Sequence, residues 1–121
     1  MKNQAYRMAL LFDFYGDLLT DRQREFYDLY YNEDLSLAEI AENSGITRQG
    51  VRDVIVRAEA TLTELEDKTG IIKRFLNMQK GIAQVEADAG RILALNERNY
   101  DNDELAALAR NIKTIVAQFK E

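Results

Sequence analysis

A polar stretch between residues 47 and 57 carries the side chains of this chain that are best suited to binding chemistry. Arginine can donate two hydrogen bonds to guanine, and glutamine can exchange two with adenine. Hydroxyl and guanidinium groups also contact phosphate oxygens. The six candidates are Thr47, Arg48, Gln49, Arg52, Asp53 and Arg57. Side chains of these types on the outer face of one helix could contact a DNA groove.

Each candidate has an expected role. Arg48 and Gln49 would contact base edges, while Arg52 would reach a base or a phosphate. Arg57 would contact a phosphate, and Thr47 could also cap its own helix through the hydroxyl. Asp53 could accept a hydrogen bond from cytosine, or it could orient Arg52 or Arg57.

The elements that must position these side chains form a predicted helix-turn-helix over residues 36–57, SLAEIAENSGITRQGVRDVIVR. Ser36 and Glu39 form a capping box for the first helix, and Gly45 supplies a left-handed turn. The apolar positions expected to face inward are Leu37, Ile40, Ala41, Ile46, Val51, Val54 and Ile55. The same pattern also fits two packed helices without a nucleic-acid partner, because a fold does not fix a function.

Charge is the main argument against strong DNA binding. The 121-residue chain has a formal net charge of −5, whereas phosphate binding favours basic proteins. One run, from residue 68 to 85, is basic without any acidic residue, and it contains Lys68, Lys73, Arg74 and Lys80. It reads either as a solvated helix face or as a patch for phosphate or RNA.

Several classes of chemistry are excluded by composition. The chain has no histidine and no cysteine, so the common general base, thiol nucleophiles and most zinc sites are missing. The six glycines are scattered and form no phosphate-binding loop. Asp13 and Asp17 could in principle hold a metal, but an exposed acidic face explains them better. We therefore expect no catalytic residue, no metal, no cofactor and no membrane span, and a cytoplasmic protein.

The remaining pattern is helical throughout. A first helix is predicted over about residues 5–17, and a second, opened by a capping box of Thr20 and Gln23, runs to about Tyr31. The aromatic residues of this region follow helical spacing and predict a core between these helices, although a platform for single-stranded bases is conceivable. The second helix of the helix-turn-helix is predicted to continue to about Lys68.

The C-terminal part predicts a helical hairpin with a bend at Gly70. Residues 96–102 read as the connection, with Asp101 and Glu104 as a capping box. The last helix has a heptad pattern of apolar residues at Leu105, Leu108, Ile112, Ile115 and Phe119. We expect two domains, residues 1–69 and 70–121, in an all-α fold. The hairpin could fold against the N-terminal unit, but we favour its pairing with a second copy in a homodimer.

Residues 7–53, RMALLFDFYGDLLTDRQREFYDLYYNEDLSLAEIAENSGITRQGVRD, resemble the YlxM family of small bacterial helix-turn-helix proteins. More distantly, the segment from Leu19 to Leu65 is similar to region 4 of sigma factors. The resemblance implies a DNA-binding regulatory protein of the signal recognition particle pathway. It also implies an alternative, an accessory factor that does not bind DNA and contacts the particle's RNA or GTPase.

The chain departs from the family pattern at two places. Gly50 stands where the family usually has alanine, and residues 53–57 read Asp-Val-Ile-Val-Arg where the family often has Asp-Asn-Ile-Lys-Arg. The second departure removes one positive charge from the exposed end of the predicted recognition helix.

Overall fold

The computed structural model describes residues 5–120 and confirms an all-helical chain. Within these described residues, six α-helices follow one another, with one 3-10 turn at Gly16–Leu18. They are α1 (Ala5–Tyr15), α2 (Asp21–Tyr31), α3 (Leu37–Ser44), α4 (Arg48–Thr69), α5 (Ile71–Asn99) and α6 (Asp103–Ala117). No helix among the described residues is both long enough and apolar enough to cross a membrane.

Side-chain caps start the helices of the N-terminal half. The Thr20 hydroxyl accepts from the Gln23 amide at 3.2 Å, and the Gln23 side chain accepts from the Thr20 amide at 3.1 Å. Ser36 and Glu39 make the same reciprocal pair at 3.1 and 3.0 Å. Both predicted capping boxes are therefore confirmed, and each satisfies two amides that the first turn leaves unpaired.

The first compact unit, residues 5–72 of the described chain, contains two apolar clusters. One joins α1, α2 and α4 around Leu11, Tyr27 and Leu62, and also takes in Ile72. The other joins α2, α3 and α4 around Phe26, Ile40 and Ile55.

The aromatic residues predicted for the core do pack there. The rings of Phe12 and Tyr27 stack with centroids 5.3 Å apart, and Phe26 is almost fully buried. The dense aromatic segment is therefore core, as its helical spacing predicted, and not an exposed stacking platform.

The junction between α4 and α5 is fixed by a buried carboxylate. Gly70 ends α4 with a left-handed φ of 62°, and α5 begins at the next residue. Glu66 accepts from the Tyr15 hydroxyl at 2.6 Å and from the Ile72 amide at 3.0 Å. The first turn of α5 is thus bonded into the first unit, which explains why the compact units divide after Ile72 and not at the predicted residue 69.

The second unit, residues 73–120, contains most of α5 together with α6. The Lys120 ammonium lies 3.0 Å from the Glu86 carboxylate, so the C-terminal end of α6 returns alongside the middle of α5. The two helices therefore form the expected antiparallel hairpin.

Two expectations for the hairpin's connection were wrong. Asn96 belongs to α5 and is 97% buried, since only 3% of it is exposed. Its side chain bonds the backbone of Asn102 twice, at 2.9 Å each. The residue that caps α6 is Asn102, which accepts from the Leu105 amide at 3.0 Å, and not Asp101, whose φ of 47° places it in the turn.

Candidate nucleic-acid interface

The turn between α3 and α4 sets the angle at which α4 leaves the core. Gly45 caps α3 with φ 71° and ψ 24°, a left-handed conformation that other residues resist. Its amide and that of Ile46 both donate to the Ala41 carbonyl, at 3.0 and 3.3 Å. Ile46 then packs against the cluster shared by α2, α3 and α4, so the turn is closed from inside as well.

The inward face of α4 determines which of its side chains meet solvent. Val51 and Ile55 are completely buried, and Val54 packs at the edge of the same cluster. With 3.6 residues per turn, this leaves Arg48, Gln49, Arg52, Asp53 and Arg57 outside, and all five are exposed.

The beginning of α4 is a favourable place for a phosphate. Thr47 is the N-cap, and its hydroxyl oxygen accepts from the Gly50 amide at 3.0 Å, which leaves the hydroxyl hydrogen available to donate. No acidic residue lies in the first turn. The partial positive charge of the 22-residue helix is therefore not cancelled by a carboxylate there.

A shallow cleft between α3 and α4 brings three of the candidates together. Arg48, Gln49 and Arg52 line it with Leu37. The sequence predicts Leu37 as part of the inward face, and its side chain does pack against the cluster shared by α2, α3 and α4. It is also partly exposed and lines the cleft, and nothing in the sequence marks this second role.

Asp53 has a different partner from those expected. Its carboxylate accepts from the Gln49 side-chain amide at 2.9 Å, one helical turn away, whereas the sequence suggested Arg52 or Arg57. This bond leaves the Gln49 carbonyl oxygen free to accept from a base while holding its amide group in place. Arg57 lies exposed about two turns further along α4 than Arg48 and Gln49, outside the cleft.

Gly50 has an internal explanation. A Cβ placed there would lie 3.2 Å from the Thr47 hydroxyl oxygen and 3.4 Å from the Ile46 side chain. The absence of a side chain therefore makes room for the cap of α4 and for the residue that closes the turn.

The basic run is divided between two helices. Lys68 lies in the last turn of α4 and makes an ion pair with Glu64 at 2.9 Å; this pair raises the pKa of Lys68 and lowers that of Glu64. The other three lie on α5 in the second unit. At about 100° per residue, Lys73 and Lys80 share one side of α5 and Arg74 points well away from them.

The chain matches the protein family described as "Putative helix-turn-helix protein, YlxM / p13 like" (UPF0122) over residues 2–101. It belongs to this family. A UPF0122 protein of Desulforamulus reducens is 50% identical over 82 residues, which cover 68% of this chain and 70% of the relative. One from Acetivibrio thermocellus is 48% identical over 114 residues, covering 94% and 97%. One from Bacillus mycoides is 39% identical over 115 residues, covering 95% and 99%.

Membership in this family confirms the resemblance drawn from residues 7–53. The helix-turn-helix is also the feature that the family description names. The family match includes α1 to α5 and ends at residue 101, just before α6. The alignments with the Acetivibrio thermocellus and Bacillus mycoides relatives cover nearly the whole chain.

Proposed function

We propose that this family member is a sequence-specific DNA-binding regulatory protein of the cytoplasm, without enzymatic activity. The observation that carries the proposal is the exposed start of α4, where Thr47, Arg48, Gln49 and Arg52 surround an uncancelled helix N-terminus. In this proposal Arg48 and Gln49 contact base edges, and Arg52 contacts a base or a phosphate. Thr47 and Arg57 contact the backbone, and Asp53 orients Gln49.

The charge distribution favours specific over nonspecific binding. The helix-turn-helix segment contains three basic and three acidic residues, so few phosphates are neutralised. Nonspecific affinity, which comes almost entirely from that neutralisation, is therefore low. Base contacts through the cleft must supply a large share of the total, because each good bidentate pair contributes about 1–3 kcal/mol of discrimination.

The test is selection from a genomic DNA library at low salt, followed by affinity measurement on the enriched site. We expect Arg48→Ala/Arg52→Ala to weaken binding about 30-fold or more, at about 1–3 kcal/mol per lost contact. The matched control is Arg98→Ala/Arg110→Ala, which removes the same charge from exposed positions in the second unit. If no sequence is enriched by the wild type, or if both pairs of substitutions act alike, the proposal is wrong.

A second candidate function is an accessory factor of the signal recognition particle that does not bind DNA. Its support is the resemblance of residues 7–53, the net charge of −5, and the exposed cations Lys73, Arg74 and Lys80 on α5. In this role the cations, with Lys68, contact the particle's RNA, or an acidic face contacts its GTPase.

A further inference from the structure

The second unit exposes its large apolar side chains and buries small ones. Its fully or nearly buried residues are Ala89, Asn96, Ala109 and Val116. Eight of its exposed large apolar residues are Met78, Val85 and Ile92 on α5, and Leu105, Leu108, Ile112, Ile115 and Phe119 on α6; Leu76, Leu95 and Tyr100 are exposed as well. Phe119 is 63% exposed and Leu108 54%. We call these eight residues the apolar face.

The eight residues lie on one face of the hairpin. In α5 Met78, Val85 and Ile92 recur every seven positions, and in α6 Leu105, Ile112 and Phe119 do the same. We compare the exposed apolar residues of each helix, here called its stripe, with the buried residues of the same helix. At about 100° per residue, the stripe is rotated away from the buried residues about the helix axis, and the direction of rotation is the same in α5 and α6. Because the helices are antiparallel, as the contact of Lys120 with Glu86 requires, this common displacement brings both stripes to the same side.

The apolar face has the size of a protein interface. Burying one such side chain removes roughly 60–120 Å² of apolar surface from water. Eight side chains, each about half exposed, therefore present on the order of 200–500 Å². A standard interface buries about 800 Å² per partner. In homodimers about 65% of that area is apolar, which gives about 500 Å² of apolar surface per partner. Among residues 5–120, the two clusters of buried apolar residues both lie in the first unit, whereas the large apolar side chains of the hairpin are mostly exposed.

Spacing and charge favour a second copy of this chain as the occupant. A seven-residue repeat on two antiparallel helices is the pattern that packs against an identical hairpin. The outer border of the face carries Arg74, Arg91 and Arg98 together with Asp88 and Glu104. This border contains both signs and is not acidic, so two chains of net charge −5 can meet there without a concentration of negative charge.

We propose that the apolar face is the interface of a homodimer, in which two α5–α6 hairpins pack face to face as a four-helix bundle. The interface lies wholly in the second unit, and the proposal does not depend on DNA binding. Substitution of Arg48 and Arg52 would therefore leave the dimer intact. If the chain is not a dimer, the DNA contacts of Arg48 and Arg52 can still be tested separately.

Sedimentation equilibrium of the full chain tests the oligomeric state. We expect a dimer with a dissociation constant of about 1 µM or tighter, because standard interfaces range from micromolar to picomolar. Ile112→Asp/Ile115→Asp should weaken association at least tenfold. The control Ala107→Asp/Thr114→Asp adds the same charges to exposed positions on the opposite side of α6 and should not weaken it. A wild type that is monomeric at about 100 µM overturns the proposal.

Cross-linking gives a second readout that does not require a disruptive substitution. The chain has no cysteine, so Leu108→Cys and Ala107→Cys each introduce a single thiol, on and off the apolar face. A short bismaleimide should link Leu108→Cys into dimers and leave Ala107→Cys monomeric. Equal cross-linking of the two variants would contradict the proposed interface.

Discussion

Three tyrosines of the first unit bury their phenol groups against specific acceptors. The Tyr15 hydroxyl donates to Glu66, that of Tyr27 donates to the Met8 carbonyl at 2.7 Å, and that of Tyr31 donates to Glu59 at 2.6 Å. Burial is the main reason why the pKa of each phenol is raised, and nearby carboxylates raise these pKa values further. Each phenol therefore stabilises the fold only in its protonated form.

The sign of the pH dependence follows from these shifts. A phenol whose pKa is higher in the folded than in the unfolded chain contributes stability fully below the ordinary pKa of about 10, and loses it as the pH rises further. We expect the free energy of unfolding by urea to be level up to about pH 9 and to fall above about pH 10. Tyr31→Phe should make that fall shallower.

Tyr6→Phe is the control for this measurement, because Tyr6 is 79% exposed and should leave the pH profile unchanged. A wild-type profile that stays level through pH 11, or a Tyr31→Phe profile as steep as that of the wild type, would contradict this account of the phenols.

Residue-scale predictions from the sequence succeeded where periodicity decides them. Val51 faces inward and Arg48 outward because both follow from 3.6 residues per turn. The partner of Asp53 could not be predicted, because several donors lie within one or two turns of it and only the packed rotamers select Gln49.

At the scale of elements, the α5–α6 connection depends on one buried amide. Asn96 donates to the Asn102 carbonyl and accepts from the Asn102 amide, so it holds the end of one helix to the start of the next. A buried polar group of this kind also fixes which residues of two helices face each other.

Replacing Asn96 should loosen this connection. We expect Asn96→Ala to cost about 1–3 kcal/mol of stability, because both Asn102 groups lose their buried partner. Thermal and urea unfolding of the full chain would measure the loss. Asn99→Ala, a change of the same type at an exposed position of the same helix, should cost well under 1 kcal/mol. Equal effects would show that the Asn96 bonds contribute nothing.

Local signals predicted the elements of the first unit better than those of the second. Capping boxes at Thr20 and Ser36 involve residues three apart, so the sequence contains both partners. Asn96 is polar and was therefore assigned to the connection, because nothing local shows that a side chain six residues from its partner is buried. The cap was placed at Asp101 for a similar reason, since its left-handed φ results from the closed turn.

For the whole molecule, the net charge of −5 distinguishes the two candidate functions. An acidic chain is repelled by nucleic acid except where cations are grouped, and it is attracted to a basic protein. The grouping of Lys73 and Lys80 on one side of α5 is thus the feature most suited to RNA.

For the accessory role, we expect the immobilised full chain to retain purified particle RNA or its GTPase at moderate salt. Retention through RNA should be lost on nuclease treatment and weakened by Lys73→Gln/Lys80→Gln. Retention of the GTPase should survive both. Lys113→Gln/Lys120→Gln, with the same change of charge on α6, is the control for these substitutions. Failure to retain either component counts against the role.

The bond between Glu66 and the Ile72 amide has a consequence for the protection of that amide from exchange. Tyr15 of α1 donates to the same Glu66 oxygen that accepts from this amide, so the docked α1 helps to hold the acceptor in place. Hydrogen exchange at Ile72 therefore reports the opening of the helix-turn-helix unit, even though Ile72 belongs to the long helix of the hairpin. The exchange rate of this one amide in α5 thus reports on the stability of the first unit.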